Sequence, residues 1–213
     1  MSLAFEPYLS QRARWPARGR HVLAQFTDQH IVVYQAYRPE IGRFAADNGK
    51  FGGAFSFSRM TWIKPNFLWM MYRSGWGTKD GQEVTLAIWL LRSGFETLMA
   101  DAVASSYDRA RFSSKTDWKR AGDRACVRLQ WDPDHDPTGA PQERRAIQLG
   151  VRGRLLERMN DEWIAKIEDI SELVAEQRGR DRSELVTPRE DVYPVPEALC
   201  ARIGLRDPDD GDA

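Results

Sequence analysis

The residues best suited to bind a charged ligand are concentrated in one aromatic-rich stretch, residues 59–76. Three of the eight tryptophans lie there beside three cations: Trp62, Trp69, Trp76, Arg59, Lys64 and Arg73. Arginine grips a phosphate through two N–H groups at once, and lysine adds a compact charge. Lys64 precedes Pro65, where a strand-like segment becomes helix-like and free backbone N–H groups collect. The stretch predicts an anion site, although a core helix flanked by solvated cations would show the same residue types.

Polar side chains of the same kind occur on two further strand-like segments, residues 30–37 and 145–151. Gln148 alternates with Ile147 and Leu149, so a polar amide lies among apolar neighbours. A buried amide needs hydrogen-bond partners, which a ligand or a neighbouring strand end can supply. The candidate ligand-binding residues are Tyr34, Gln35, Tyr37, Arg38, Arg59, Thr61, Trp62, Lys64, Tyr72, Arg73 and Gln148. Further polar groups on later strands are Gln130, Asp132 and Arg145.

The sequence predicts no metal site. The three histidines, His21, His30 and His135, lack metal-ligand spacing. Residues 132–137 are rich in aspartate but contain two prolines, which favours a solvated turn. No Ser–His–Asp set, zinc-protease motif, kinase set or GxGxxG motif is present. A metal-dependent enzyme is therefore not expected.

The central stretch is predicted to be a short strand followed by a buried helix. Residues 60–63 are β-branched and aromatic, which suits a strand. Pro65 favours a helix start, residues 67–72 are apolar nearly all round, and Gly75 is a good stop. We therefore expect Trp62 and Trp69 to be largely buried. The glycine-rich residues 49–58 that lead into this stretch form either a hinge or a plain connector.

The remaining pattern favours an α+β fold, because strands and helices mix without regular alternation. We predict a single compact domain with a mixed or split antiparallel sheet flanked by helices. Predicted strands cover residues 30–37, 84–91, 127–131, 145–151 and 167–170, and predicted helices cover 39–48, 95–105, 153–160 and the segment from 171 onward.

Charge is balanced over the whole chain but not along it. The net charge is zero, whereas residues 1–76 carry ten basic and four acidic residues. This excess in the half that contains the central stretch is compatible with an anionic ligand. We divide the chain into a basic arm at 1–20, one domain at 21–200 and an acidic disordered tail at 201–213. Residues 1–15 and 205–213 are expected to be dispensable for folding.

Cysteine usage and hydropathy indicate a reduced, cytoplasmic protein. Cys126 and Cys200 lie in no metal-binding or redox pattern. No run of about 18 uncharged apolar residues is present, so no membrane span is expected. The amino terminus lacks the basic-then-apolar pattern of a signal peptide. The oligomeric state is not predicted.

Five sequence blocks resemble the family called domain of unknown function 4291. They are the residues 33–37, 59–65, 67–76, 130–133 and 147–150, and the resemblance covers roughly residues 20–175. The central block is long and rich in rare residues. Asn66 stands where Ser is expected in most relatives, and Asn can equally cap a helix. The resemblance implies kinship but leaves the activity open.

The order of elements also resembles ADP-ribosyltransferase domains, which bind nicotinamide adenine dinucleotide (NAD) between two small sheets. That resemblance implies a polar group on the first strand, a phosphate-gripping set on the second and an amide or acid on a late strand. The corresponding residues are Tyr34, Gln35 or Tyr37, then Arg59, Thr61 and Lys64, and finally Gln148. The usual catalytic glutamate is not evident, and Glu143 and Glu168 are the nearby substitutes.

The sequence thus predicts a nucleotide-binding transferase, best described as an ADP-ribosyltransferase-like enzyme that uses NAD with a nucleic-acid or protein acceptor. Gln148, Tyr37 and Lys64 are the expected catalytic residues, and the other candidates would bind NAD. The alternative is a non-catalytic module that binds nucleotides or single-stranded nucleic acid, because rings stack on bases and cations meet phosphates. A purely structural interaction domain is a third possibility.

Overall fold

The computed structural model describes residues 1–109 and 111–205. Its strands are β1 (Phe5–Pro7), β2 (Gly19–Arg20), β3 (Leu23–Ala24), β4 (His30–Tyr37), β5 (Thr61–Ile63), β6 (Val84–Leu91), β7 (Ala102–Ala104), β8 (Val127–His135), β9 (Pro141–Val151), β10 (Ile164–Asp169), β11 (Val186–Pro188) and β12 (Asp191–Val192). Its helices are α1 (Tyr8–Arg12), α2 (Pro39–Asn48), α3 (Phe67–Ser74), α4 (Arg92–Ala100), α5 (Lys115–Arg124), α6 (Arg154–Arg158), α7 (Ser171–Gln177) and α8 (Glu197–Ile203), and a π-helical turn spans Met159–Trp163.

Two sheets form the body of the protein and confirm the α+β prediction. In the first sheet β6 lies between β4 and β10, and both neighbours run antiparallel to it. In the second sheet β9 pairs antiparallel with β8 and β5, and parallel with the short β2, while β7 extends the sheet beyond β8. The sheets meet at a bridge between Tyr34 of β4 and Lys64, which follows β5. The strands therefore form two mainly antiparallel sheets that are joined at this bridge and split apart beyond it.

Both faces of β4 are buried, and each packs in a different hydrophobic cluster. Ile31 and Val33 join the cluster between the sheets, whereas Val32 and Tyr34 join a second cluster beneath α3. This alternation follows from the two-residue period of a strand. It sends Tyr34 toward α3, where its ring meets Phe67 edge-on.

The central stretch folds largely as predicted. Asn66 caps α3 by accepting a hydrogen bond of 2.7 Å from the Trp69 N–H, and Gly75 ends the helix with a φ of 59°. Trp69 is 7% exposed, which confirms its core position. Trp62 is less deeply buried than Trp69, with intermediate exposure. It lies on β5 and lines an open cavity.

Several predicted elements have different bounds in the structure, including β9, which begins at Pro141, and β10, which spans Ile164–Asp169. The helix predicted over 95–105 begins at Arg92 and ends at Ala100, and β7 follows it. The strand predicted to end at Trp131 continues to His135. Pro133 is accommodated because it pairs opposite Arg145 next to an irregularity in the ladder, where a missing N–H is tolerated.

The aspartate-rich segment is buried rather than solvated, so that interpretation is wrong. Asp134, His135 and Asp136 are all shielded from solvent. Arg144 neutralises Asp134 through hydrogen bonds of 2.8 Å from Nε and 2.5 Å from Nη2. Burial nevertheless raises the pKa of Asp134, and the Arg144 charge opposes this change. Local sequence did not reveal Arg144 as a partner because it lies on the next strand.

The ends of the chain differ from each other. The basic arm lies along the domain: β1 pairs with β11, and Tyr8 and Trp15 are buried. This packing argues against the expectation that residues 1–15 are dispensable. At the other end the boundary predicted at residue 200 falls within α8, and residues 206–213 lie outside the described residues. No α-helix within the described ranges is long and apolar enough to cross a membrane.

Candidate functional site

A cavity of about 340 Å³ opens where β4 and β5 separate beyond their bridge. The volume lies at the lower end of the range of roughly 300–1,000 Å³ found for small-molecule sites. Strand β4, strand β5, helix α3 and strand β9 all contribute to it. Its lining consists of Gln35, Ala36, Tyr37, Met60, Thr61, Trp62, Lys64, Met70, Arg73, Gln82 and Gln148.

Gln35 spans the gap between the separating strands. Its Nε2 donates hydrogen bonds to Thr61 Oγ1 at 2.6 Å and to the Trp62 carbonyl at 3.2 Å. Both acceptors are on β5, so the Gln35 side chain links β4 to β5 beyond the bridge, where backbone pairing between these strands ends. The residue is 2% exposed, and its buried Oε1 has no hydrogen-bond partner among the residues that the structure describes. A buried amide oxygen of this kind is an acceptor that a ligand can satisfy.

Lys64 is the most unusual group in the cavity. Only 5% of the residue is exposed, and Nζ donates to the Trp62 carbonyl at 3.3 Å. Within residues 1–109 and 111–205, no carboxylate lies at ion-pair distance from it. Burial and the positive charge of Arg73 together lower the pKa of Lys64 to about 8, and the negative charge of Asp132 opposes this change. The cavity thus holds a desolvated cation, and Asp132 is an acid whose charge acts on it from beyond ion-pair distance.

Gln148 is held in place by a carboxylate on the neighbouring strand. Its Nε2 donates to Asp132 Oδ2 at 2.6 Å, and Gln130 Nε2 donates to Asp132 Oδ1 at 2.7 Å. A carboxylate accepts hydrogen bonds only, so Asp132 fixes the NH₂ end of Gln148 toward itself. The amide therefore both bonds a neighbouring strand, as one sequence alternative proposed, and lines the cavity.

Gly150 allows the wall of the cavity to form. Trp62 pairs opposite Gly150 in the β5–β9 ladder. A Cβ atom at Gly150 would lie 2.6 Å from the Met60 sulfur and 2.9 Å from the Trp62 ring. Since contacts this short do not occur, glycine at this position lets the Trp62 ring and the Met60 side chain approach β9 closely.

The hydroxyl groups of Tyr37 and Thr61 are hydrogen-bonded to each other at the inner end of the cavity. Burial raises the pKa of Tyr37 above its usual value of 10.0. The phenol therefore stays neutral across the physiological range. It can donate or accept a hydrogen bond, but it supplies no negative charge.

A second cavity of about 340 Å³ adjoins the first, and Tyr37, Met60 and Thr61 line both. Two arginines, Arg38 and Arg59, line only the second one. The Arg38 guanidinium is 3.1 Å from the Glu40 carboxylate, and both of these side chains are largely exposed. The other residues around it are Ile41, Ala54, Phe55, Ser56 and Gly81.

The structure brings most of the predicted ligand-binding residues into these two cavities. Tyr34 and Tyr72 are the exceptions. Tyr34 is fully buried beneath α3, and Tyr72 lies outside both cavities with its ring stacked 3.5 Å from that of His135. The first cavity contains Gln35, Tyr37, Thr61, Trp62, Lys64, Arg73 and Gln148, and the second contains Tyr37, Arg38, Arg59 and Thr61.

Sequence reasoning missed some of the lining and the groups that orient it. Met60, Met70 and Gln82 gave no local signal, because apolar or isolated polar residues are common in any strand or loop. Asp132 was recognisable as a polar group two residues from Gln130, and so on the same face of β8. Its contact with Gln148 depends on the β8–β9 register, which the sequence does not specify. No cluster of three potential metal ligands occurs within residues 1–109 and 111–205.

The fold and the cavity define an α+β protein with a cation-bearing cleft at the split between two sheets. A family model, Domain of unknown function (DUF4291), matches residues 21–194. The chain belongs to this family. No curated protein matches the sequence.

Proposed function

We propose that the protein binds NAD in the first cavity and transfers its ADP-ribose group to a nucleic-acid or protein acceptor. The observation that carries the proposal is the buried Lys64 ammonium without an anionic partner. An unpaired charge in a protein interior is expensive, and proteins normally pair it or neutralise it. A diphosphate entering the cavity would supply the missing negative charge.

The groups around Lys64 favour a nucleotide over a bare anion. Arg73 adds a second cation at the same cavity, and the partly exposed Trp62 ring offers a surface on which a base can stack. Gln35 Oε1 needs a donor, which a ribose hydroxyl or the nicotinamide carboxamide would provide. Aromatic, cationic and amide groups therefore meet in one cleft.

The split between the sheets supports the choice of NAD among nucleotides. The resemblance to ADP-ribosyltransferases implies a dinucleotide held between two small sheets, and the cavity lies where β4 and β5 part. When bound, NAD would supply a ribose carbon whose bond to nicotinamide can break. The acceptor would form the new bond to that carbon, nicotinamide would leave with the bonding electrons, and the acceptor's proton would pass to water.

Gln148 is the residue that would orient the ribose. The two glutamates considered as substitutes do not line the cavity. Glu143 is exposed on β9, and Glu168 accepts from Trp89 Nε1 at 2.7 Å while it pairs with Lys166. The acid nearest to the expected role is Asp132, which acts through its hydrogen bond to Gln148. We therefore assign Asp132 to positioning and Gln148 to ligand contact.

Calorimetric titration with NAD, ADP-ribose and AMP tests the binding step. We expect Lys64→Met and Arg73→Ala to weaken NAD binding at least tenfold. Arg43→Ala is the matched control, because Arg43 is exposed on α2 and lines neither cavity. Absence of nucleotide binding by the wild-type protein would refute the proposal.

Release of nicotinamide from NAD in the presence of oligonucleotide or protein acceptors tests the transfer step. The proposal predicts release that is lost in Lys64→Met and reduced in Gln148→Ala. Tight nucleotide binding with no release under any acceptor would instead favour the non-catalytic binding module.

A further inference from the structure

The second cavity has a chemistry of its own that NAD binding in the first cavity does not use. Its two cations are Arg38, which leads into α2, and Arg59, which precedes β5. Within the described ranges Arg59 makes no ion pair with a carboxylate, and its residue is exposed. Two guanidinium groups at one cavity suit phosphate oxygens, which each can grip with two N–H groups.

The two cavities differ in how a ligand reaches their charges. Lys64 is 5% exposed, so the first cavity admits a ligand that enters and is largely enclosed. The Arg38 side chain is 54% exposed, so the second cavity presents its charge at the surface. A nucleic-acid strand can place any backbone phosphate along its length against a surface cation. The enclosed Lys64 site instead requires a small molecule or the free end of a strand.

We propose that the second cavity is the acceptor subsite and binds a backbone phosphate of a single-stranded nucleic acid. This inference rests on the proposed function, since a transferase must hold two substrates with their reacting atoms adjacent. The shared residues Tyr37, Met60 and Thr61 place the two cavities on either side of one wall. An acceptor held by Arg38 and Arg59 therefore lies next to the donor in the first cavity.

The charge around the second cavity favours nucleic acid over a phosphorylated protein. Tyr37 and Phe55 line the cavity with their rings 5.8 Å apart edge to face, and Phe55 also stacks on Phe51, so these rings form part of the cavity wall. Cations that follow the phosphate backbone are typical of single-strand binding. The segment 1–76 that contains both arginines also carries the excess of positive charge.

The test measures two affinities in the same set of full-length variants: NAD by calorimetry, and a fluorescein-labelled single-stranded 10-mer RNA by anisotropy. We expect Arg38→Ala and Arg59→Ala each to weaken RNA binding about tenfold and to change NAD affinity less than twofold. Lys64→Met should do the reverse. Arg43→Ala should change neither affinity, and circular dichroism of each variant checks that it is folded.

Salt dependence provides a second readout that a merely structural role would not change. Each phosphate contact to a single strand contributes about 0.7 to the slope of log affinity against log salt concentration. Arg59→Ala should therefore lower the slope for RNA by about 0.7, and Arg59→Lys should restore it.

Three results would overturn the acceptor assignment. Unchanged RNA affinity in both arginine variants would place the acceptor elsewhere. Equal losses of NAD and RNA affinity in Arg59→Ala would mean that both cavities hold one dinucleotide, which leaves the proposed function intact. Tighter Arg59-dependent binding of a phosphopeptide than of the RNA would make the acceptor a protein. Failure of the wild-type protein to bind NAD while RNA affinity still depends on Arg59 would refute the proposed function alone.

Discussion

Two buried charges flank the start of helix α3, and their surroundings are opposite. Lys64 lies three residues before the helix and is 5% exposed, whereas Glu190 packs against its first turn and is 1% exposed. The Lys64 ammonium has one protein acceptor and faces a cavity. Glu190 is held by several partners in the protein. The two sites thus have similar burial but differ in how many hydrogen-bond partners the fold supplies to the buried group.

Glu190 is part of a closed network that joins both ends of the chain to α3. Its Oε1 accepts from the Phe67 N–H at 2.6 Å, and its Oε2 accepts from Asn66 Nδ2 at 3.3 Å. Its backbone N–H donates to Gln11 Oε1 at 2.8 Å, and its carbonyl accepts from Trp15 Nε1 at 2.7 Å. A negative charge at a helix amino terminus is also favoured by the helix dipole.

The comparison separates structural charges from ligand-binding ones by their partners rather than by their burial. At Glu190 each carboxylate oxygen accepts a hydrogen bond from a protein donor. Within the described part of the chain, the Lys64 ammonium has one acceptor, the Trp62 carbonyl, and the Gln35 Oε1 in the same cavity has no donor. Substitutions should therefore affect stability at the first site and binding at the second.

The largest expected effect is loss of the arm that supports Glu190. Trp15→Ala removes a buried ring, its hydrogen bond to Glu190 and its contact with Arg144, whose guanidinium lies 5.3 Å from the ring centroid. We expect a loss of about 3–5 kcal/mol in the free energy of unfolding, measured by urea denaturation. Loss of less than about 1 kcal/mol would show that the arm is dispensable after all.

Glu190→Ala should rank next. It leaves the Phe67 N–H and the Asn66 amide without their acceptor and opens a small void, so we expect a loss of about 2–4 kcal/mol. The same urea denaturation measures it. NAD affinity of the folded fraction should be unchanged, and a parallel loss of affinity would remove the distinction between the two sites.

The pH dependence of stability sharpens the comparison at Glu190. Burial raises the pKa of Glu190 well above 4.5, although the Phe67 N–H opposes this. The folded-state pKa of Glu190 exceeds its unfolded-state pKa. The stability that Glu190 contributes is therefore fully present below about pH 4.5 and is lost as the pH rises through the folded-state pKa. The stability of Glu190→Gln relative to wild type should therefore increase with pH. A relative stability that falls with pH would contradict this reading.

Lys64→Met should have a small effect on stability. Replacing an unpaired buried ammonium by an apolar side chain of similar length removes a desolvation penalty, so we expect a change of less than about 1 kcal/mol, or a gain. Thermal denaturation of the free protein measures it. A loss above about 2 kcal/mol would make Lys64 a structural residue like Glu190.

Removal of residues 206–213 should have the smallest effect. The segment is acidic and contains no apolar periodicity, so we expect a change below about 0.5 kcal/mol in the free energy of unfolding. It is the matched control for removal of residues 1–15. If both truncations behave alike, the ends of the chain are equivalent and the packing of the arm contributes little.

The sequence predicted those elements whose pattern is local. Strands β4 and β6, and helix α2 with its Gly49 stop, lie where periodicity and stop signals placed them. The helix predicted at 67–72 forms the body of α3. Polar residues on neighbouring strands also indicated where a site could form. These features depend on spacing within a few residues, which a single sequence records.

The rest depends on contacts between distant residues. Glu190 reaches Phe67 across more than a hundred positions, and its surroundings in the sequence resemble a charged, proline-rich linker. Arg59 and Lys64 were both expected to contact phosphate at one ligand site, and they line adjoining cavities in the structure. The strand register and the split between the sheets determine which distant residues meet, and local sequence does not record either one.

The most direct test of the account is proton uptake when NAD binds at pH 8, measured by calorimetry in two buffers of different ionisation enthalpy. The pKa of Lys64 is lowered to about 8, so the amine is about half protonated there, and a bound diphosphate would raise the pKa and draw in a proton. We predict uptake of up to about half a proton per NAD in the wild-type protein, none in Lys64→Met, and wild-type uptake in Arg43→Ala. Binding without proton uptake, with equal affinity in wild type and Lys64→Met, would contradict the assignment of Lys64 to the ligand.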